Sequence, residues 1–325
     1  MSDFSISVAM CTFNGEQFLE SQLTSIAVQT QTPDEVIVCD DGSSDCSKKI
    51  VERFSGRVQF PVRLVENETN LGSTKNFEKA IRLCQGSIVV LADQDDTWYR
   101  QKLERLRAPF LTSASVVAVF SDADVIDQDG SSLGIRLWPT FGFSRSEQKA
   151  FVEGEALSVL IKHPVVTGAS MAFRRSLFDR LAPIPADEIH DQWMSFLLAA
   201  AGRVELVKEP LLQYRRHRKQ QVGPGPASFR GQMVVAASRG DSFYEHEILR
   251  FQQLQQRLSE FGSEFPNAAQ ARWLIENKIG HLKHRARLSR SKLSRVPTVF
   301  REALNRNYWR YSGGWVSIAK DLVLR

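Results

Sequence analysis

The sequence predicts an α/β protein built on a mainly parallel sheet and followed by a helical extension. Three observations carry that reading. Short apolar runs alternate with helix-spaced stripes four times in about the first hundred residues. Three of those four runs end in turn-forming or acidic residues. From Phe243 onward the apolar residues fall into helical stripes.

The first run, Ser5 to Cys11, carries Ile6, Val8 and Met10 in alternation and reads as a strand; Thr12-Phe13-Asn14-Gly15 closes it with turn chemistry. Leu19, Leu23, Ile26 and Ala27 then follow helical spacing, and Pro33-Asp34 ends that helix. Glu35 to Cys39 is a second strand, and the polar stretch Asp40 to Asp45 leads, through a serine cap, into a helix. Val62 to Glu66 is a third strand. A loop from Asn67 to Gly72 leads to a helix with Phe77, Ala80, Ile81 and Cys84 on one face. Ser87 to Ala92 is the fourth strand and stops abruptly at Asp93-Gln94-Asp95-Asp96.

Composition narrows the function classes. Of 325 residues, 42% are hydrophobic and 24% charged, which excludes collagen-like, mucin-like and wholly disordered chains. The length fits roughly two domains, with an expected boundary between residues 1–225 and 226–325. Cys11, Cys39, Cys46 and Cys84 have no CxxC spacing and read as reduced thiols. The start Met1-Ser2-Asp3-Phe4 lacks signal-peptide character, and the longest apolar runs are strand-length, so a cytoplasmic protein is expected. Net charge is +5, unevenly spread. From Arg203 on there are 23 Lys and Arg against 10 Asp and Glu, leaving 19 against 27 before it. An acidic front suits a metal or cationic centre, and a basic back suits an anionic surface.

In a parallel sheet ligands bind at the carboxyl ends of strands. There the chain offers Thr12-Phe13-Asn14, Asp40-Asp41-Gly42 and Asp93-Gln94-Asp95-Asp96, with neither a GxGxxG turn after the first strand nor a P-loop. Carboxylates repel a bare pyrophosphate but share a divalent cation with it, so a metal-bound nucleoside diphosphate is expected. Asp40 or Asp41 is also suited to accept a hydrogen bond from a base or ribose.

These residues resemble the family 2 glycosyltransferases, which have the GT-A (nucleotide-diphospho-sugar transferase) fold. The matching pieces are Val8 to Asn14, Val38 to Asp45, Asn70-Leu71-Gly72 with Asn76, and Leu91 to Trp98. Thr167 to Phe173 and His190-Asp191-Gln192-Trp193 match further on, so the likeness runs from about Ser5 to Gly223. Asp-Gln-Asp-Asp-x-Trp, His-Asp-x-Trp and Tyr214-Arg215-x-His217 are most similar to bacterial rhamnosyltransferase-like members of surface-polysaccharide pathways.

The resemblance implies a residue set. Asp40 and Asp41 contact the nucleoside, with Thr12, Asn14 and Asn76 in the same pocket. Asp93 and Asp95 form the DxD element, and Asp95 meets a Mg²⁺ or Mn²⁺ ion. Asp191 is the base of an inverting displacement, with His190 as an orienting neighbour. The segment Tyr214 to Gln221 is either a plain basic face or a loop closing over the donor, with Arg215 on its phosphates and His217 as a further metal ligand. The donor is a dTDP- or UDP-sugar, with rhamnose the expected deoxysugar and UDP-hexoses the alternative. The acceptor is a glycan or lipid-linked glycan.

Other readings compete at several positions. Asp96 either touches ligand or caps the helix containing Gln101 and Leu103. Asp122-Ala123-Asp124 matches the same short pattern outside its context and is expected to be solvated or acceptor-facing. Asp191 alone would read as a helix cap, and Trp98 and Trp193 as packing residues. A sugar-nucleotide synthase would need basic residues after the first strand, and Thr12 to Glu16 has none. A nucleic-acid-binding protein would use the basic back half, but no recognition motif is visible and no nucleic acid is expected.

Within the extension, helices are expected over Phe243–Phe261 and Trp273–Leu293, the second stopped by Pro297. Tyr308 to Leu324 mixes aromatic and basic residues. That composition fits peripheral contact with the cytoplasmic face of the inner membrane, or a helical hairpin with a solvated basic face.

Overall fold

The computed structural model describes residues 4–217, 241–261, 264–289 and 291–323. The segment Arg218 to Gln221, the Gly223-Pro224-Gly225-Pro226 breaker and the expected boundary at residue 225 lie outside the described residues. The chain divides into two compact units. The first comprises Met1–Pro139, Val166–Leu198 and Gly202–Gly223; the second comprises Thr140–Val165, Ala199–Ala201 and Pro224–Arg325.

The first unit opens as expected. Its elements are β1 (Ile6–Thr12), α1 (Leu19–Ala27), β2 (Glu35–Asp40), α2 (Ser47–Ser55), β3 (Val62–Glu66), α3 (Ser73–Leu83) and β4 (Ile88–Ala92). There follow β5 (Thr97–Trp98), α4 (Lys102–Thr112), β6 (Val116–Ile126) and β7 (Ser132–Arg136). After α5 (Leu137–Thr140) the chain enters the second unit with α6 (Arg145–Val152) and α7 (Ala156–Leu160), and the first unit resumes with β8 (Met171–Arg174), α8 (Phe178–Leu181), α9 (His190–Ala201) and β9 (Arg203–Arg215). Sheet order is β3-β2-β1-β4-β8-β6-β9-β5, with β7 beside β6. The run β3-β2-β1-β4 is parallel throughout, β6 and β9 are parallel, and β8 is antiparallel between β4 and β6. Every residue of β1 and β4 is buried, as continuous apolar strands covered on both faces should be.

The register puts the polar strand ends on one rim. Thr12 of β1 lies opposite Asp40 of β2, and Met10 lies opposite Ala92, the last residue before Asp93. The cap of α2 differs from the expectation. Ser43 and Ser44 are turned toward the rim, and Asp45 Oδ1 accepts the Ser47 N–H at 2.9 Å instead.

In the second unit, α10 (Asp241–Glu260) and α11 (Ala268–Ala286) form an antiparallel-type helical pair whose core includes Tyr244, Phe251, Leu254, Leu258, Ile275 and Leu282. Three further helices follow: α12 (Lys292–Leu304), α13 (Asn307–Tyr311) and α14 (Trp315–Val323). Pro297 does not stop α11; that helix ends at Ala286 and Pro297 lies inside α12. A proline five residues into a helix removes a single intrahelical N–H, and burial of Arg295, Val299 and Glu302 on one side of α12 holds the helix together.

A buried ionic network ties these helices. Arg285 grips Asp321 through Nε–Oδ2 at 2.6 Å and Nη2–Oδ1 at 3.0 Å, and Tyr308 donates to the same carboxylate at 2.7 Å. His281 Nδ1 meets Glu302 at 2.7 Å, while its Nε2 meets Ser312 Oγ at 3.0 Å. Burial pushes the imidazole down from its ordinary value. A neutral ring with its proton on Nδ1 satisfies both contacts. Burial pushes Glu302 upward, but hydrogen bonds from His281 and Asn307 outweigh it and leave the carboxyl at about 2.

Removing one partner of such a pair strands the other charge. Asp321→Ala should therefore cost about 3–5 kcal/mol in urea unfolding of the full chain. Glu302 sits below its unfolded value of about 4.3, so its contribution is complete above that pH and is lost as pH falls toward 2. Glu302→Gln should flatten that acid limb of stability; an unchanged limb would contradict the network.

Candidate active site

The rim of β1 and β2 is built by carboxylates that face inward. Asp40 accepts from Thr12 Oγ1 at 2.8 Å, from the Ser43 N–H at 2.8 Å and from Ser43 Oγ at 2.6 Å. Asp41 Oδ1 accepts from Asn67 Nδ2 and the Leu71 N–H, both at 2.8 Å, and its Oδ2 accepts the Gly72 N–H at 2.9 Å. Asn76 Nδ2 reaches the Cys39 carbonyl at 2.9 Å, and its Oδ1 accepts from Asn67. Thr12, Asp40, Asp41 and Asn76 are all buried. These side chains fix loops 12–15, 41–45 and 67–72.

Asn14 is an exposed polar residue of this rim. It has φ 48°, a left-handed conformation that asparagine tolerates, and its Oδ1 accepts the Ser44 N–H at 2.9 Å. Phe13 beside it is linked to the β4 end. Its N–H donates to Gln94 Oε1 at 2.9 Å and its carbonyl accepts from Gln94 Nε2 at 3.1 Å, so the Gln94 amide completes a two-way link. Gly15 leaves room for that amide, since a Cβ there would lie 2.2 Å from Gln94 Oε1.

At the β4 end the carboxylates converge. Asp95 Oδ2 lies 2.7 Å from His217 Nε2, and the His217 ring tilts against Phe18 with centroids 5.1 Å apart. Asp96 is not the cap of α4, which begins after Gln101. It is buried and accepts the Arg215 N–H at 3.0 Å. Arg215 does not present its guanidinium as an open phosphate ligand. Nε donates to the Asp95 carbonyl at 2.7 Å, Nη1 to the carbonyls of Asp127 and Gln128, and the group stacks over Phe18 at 4.8 Å. It clamps the two ends of this rim together.

Asp191 comes from the first turn of α9. Its Oδ2 accepts the Gly168 N–H at 2.9 Å, and among the described residues Oδ1 has no hydrogen-bond partner. His190 beside it is buried and stacks on Phe77 at 4.2 Å. A Cβ on Gly168 would lie 2.7 Å from its Nε2, so glycine is what lets this turn approach. Burial pushes the His190 imidazole below its ordinary value, against the pull of Asp191.

The electrostatics register the crowding. Burial, then the Asp95 and Asp191 carboxylates, push Asp93 up to about 7. Burial, then Asp95 and Asp93, push Asp96 well above the carboxylate range. The Tyr214 phenol is raised by burial and by all four carboxylates, which places it among them. Beneath lies Lys102, wholly buried, which donates to the Ala169 carbonyl at 2.5 Å and sits 3.9 Å over the Trp98 ring. Burial pushes its ammonium down to about 7, while Asp96 and Asp93 hold it up.

Lys102 has no role in the sequence reading, and Tyr214, expected to open a basic face or a closing loop, is a residue of β9. Lys102 had a legible signal: it shares a helix stripe with the buried Leu103, Leu106 and Phe110, and a lysine on an apolar stripe demands a buried partner. The second acidic pair is internal. Asp122 accepts the Trp138 N–H at 3.0 Å, Asp124 accepts from Tyr99 at 2.7 Å, and Arg136 lies against both. Trp98 and Trp193 are buried packing residues, the latter donating to the Leu181 carbonyl at 2.8 Å. No three His, Cys, Asp or Glu side chains among the described residues form a ready-made cation cage.

The family model described as glycosyl transferase family 2 matches residues 7–182, more than half of the chain. The chain belongs to that family. An uncharacterized glycosyltransferase of Nostoc sp. is 27% identical over 215 residues, covering 65% of each chain. An Escherichia coli protein named UDP-Glc:alpha-D-GlcNAc-diphosphoundecaprenol beta-1,3-glucosyltransferase WfgD is 26% identical over 129 residues, covering 40% of this chain and 49% of its own. The matches thus span less than two thirds of these curated relatives. Residues 1–349 of S. aureus TarS, solved with UDP-GlcNAc, superpose with TM-score 0.53 at 17% identity, covering 94% of this chain and 92% of that one. At that identity the likeness is one of fold, and it confirms the α/β GT-A architecture with its C-terminal helical region. No helix among the described residues is long and apolar enough to cross a membrane.

Four carboxylates in one half-buried cluster make a testable liability. Asp93 has a folded value raised above its unfolded one near 3.9, so its ionisation opposes folding increasingly from pH 4 up to about 7. In metal-free buffer Asp93→Asn should therefore raise the melting temperature at pH 8, with the gain shrinking as pH falls toward 4. A pH-independent gain or a loss would contradict the crowding.

Proposed function

We propose that the chain is an inverting, metal-dependent glycosyltransferase. It would move a sugar from a nucleoside diphosphate to a hydroxyl of a glycan or lipid-linked glycan in surface-polysaccharide synthesis. The observation that carries this reading is the convergence of Asp93, Asp95, Asp96 and Asp191 at one strand end, with Asp191 held by the Gly168 N–H and its Oδ1 open to accept a proton.

The geometry supports the following roles. Asp95 and His217 face each other at 2.7 Å, a carboxylate and an imidazole that would hold Mg²⁺ or Mn²⁺. Such an ion supplies charge neutralisation for the departing diphosphate. Asn14 and the backbone of loops 12–15 and 41–45 line the nucleoside side, with Thr12, Asp40, Asp41 and Asn76 as their supports. Arg215 keeps Asp95 and Asp96 in register. Asp191 takes the proton of the acceptor hydroxyl, and the oxygen attacks the anomeric carbon. The bond to the diphosphate oxygen breaks with its electron pair, and the configuration inverts. Tyr214 and Lys102 keep the cluster from opening to water.

A UDP-sugar is favoured over a dTDP-linked deoxysugar, because WfgD is named for UDP-glucose and a polyprenyl-diphosphate acceptor, and another relative, TuaG of Bacillus subtilis, for teichuronic acid biosynthesis. Rhamnosyl transfer rests on the motif resemblance alone. A donor panel of UDP-glucose, UDP-GlcNAc and dTDP-rhamnose, read by release of nucleoside diphosphate, separates them.

Asp191→Asn should retain donor binding within about twofold and lose transfer by at least about a thousandfold, the order expected for a general base. Asp95→Asn should instead weaken cation-dependent donor binding. Calorimetry beside turnover assays tells the two apart; equal loss of donor binding in both variants would refute the division of roles.

A further inference from the structure

Helix α12 has two apolar sides and buries only one. Arg295, Val299 and Glu302 face inward, where Val299 packs with Tyr308 and Ile318. On the opposite side Leu293, Val296, Phe300 and Leu304 recur at helical spacing and are 85%, 48%, 60% and 68% exposed. The neighbouring α14 adds Trp315 at 72% and Val323 at 56%. Soluble monomers seldom leave so continuous a stripe in water.

The charge around this stripe has one sign. Among the described residues from 278 to 323 the acidic side chains are Glu302 and Asp321. Both are buried and held by His281, His284 and Arg285. The exposed ionic residues there are Lys283, Arg287, Arg301, Arg306 and Arg310. What this segment offers to solvent is an apolar stripe rimmed by cations.

We infer that α12 is a docking helix for an anionic lipid surface. Leu293, Val296, Phe300 and Leu304 enter the boundary between headgroups and acyl chains, and Arg301, Arg306 and Arg310 meet lipid phosphates. Thirteen residues make a helix of roughly 20 Å, suited to lying on a bilayer and too short to cross one. Charge complementarity selects this occupant. A second copy would bring the same cations against these, and a nucleic acid would leave the apolar stripe in water.

The test is cosedimentation of the full chain with vesicles of phosphatidylcholine alone and of phosphatidylcholine mixed with phosphatidylglycerol. Binding should require the anionic lipid and weaken with salt. Arg301→Gln/Arg306→Gln/Arg310→Gln should lower the partition coefficient roughly a hundredfold. Phe300→Ser/Leu304→Ser should lower it about tenfold or more. Both sets are exposed, so circular dichroism and melting should match the wild type. Failure to bind either vesicle, equal binding to both, or unaffected variants would overturn the inference. So would a concentration-dependent dimer lost in Phe300→Ser/Leu304→Ser, which would assign the face to a second copy. Binding is read without transfer, so its failure leaves the donor-site reading untouched.

Discussion

Asp93, Asp95, Asp96 and Asp191 arrive at one strand end from two parts of the chain, and their mutual repulsion in a half-buried setting is the constraint to which the surrounding structure answers. Each neighbour can be understood as part of that answer. Lys102 places an ammonium beneath the cluster, the Arg215 N–H binds Asp96, and the Gly168 N–H binds Asp191. Even so, Asp93 is pushed up to about 7 and Asp96 well above the ordinary carboxylate range, so crowding and burial oppose full ionisation of the cluster. A site in that condition has a strong affinity for positive charge, and that is the chemical basis for reading it as the diphosphate end of a donor site.

The supporting loops explain how such a cluster is tolerated. Parallel strands β1 and β2 end level with one another and β4 ends two residues earlier, while Thr12 and Asp40 are tied to each other and to the loop at Ser43. Asp40 and Asp41 turn inward and bind loops, and Gln94 and Arg215 bridge from β4 to β1 and β9. The rigidity needed to hold like charges together comes from hydrogen bonds to backbone groups, which side-chain motion cannot easily release. The same device recurs in the second unit, where Glu302 and Asp321 are neutralised internally and the exposed surface is left cationic.

Much of this was legible in the residues. Alternation of apolar runs with helix stripes gave the first seven elements in order, because buried parallel strands and amphipathic helices carry distinct periods. The motif pieces also identified which strand ends meet. What the residues could not convey was direction. Asp40, Asp41 and Arg215 carry a donor-site expectation from the motif resemblance; in the fold, loop donors hold the two carboxylates, while the carbonyls of Asp95, Asp127 and Gln128 accept from Arg215. Lys102 carried a signal in its place on an apolar stripe, but its acceptor, the Ala169 carbonyl, is brought to it only by the fold. Pro297 misled because proline marks helix ends on average, whereas in α12 burial on one side compensates for one missing bond.

The central claim is that this carboxylate cluster is completed by a cation and a nucleoside diphosphate together. Calorimetric titration of UDP into the full chain, with Mn²⁺ present and after chelation, tests it most directly. The account predicts saturable binding only with the cation, at a stoichiometry of one. Tight binding of UDP without any divalent cation, or no binding in either condition by folded protein, would contradict it.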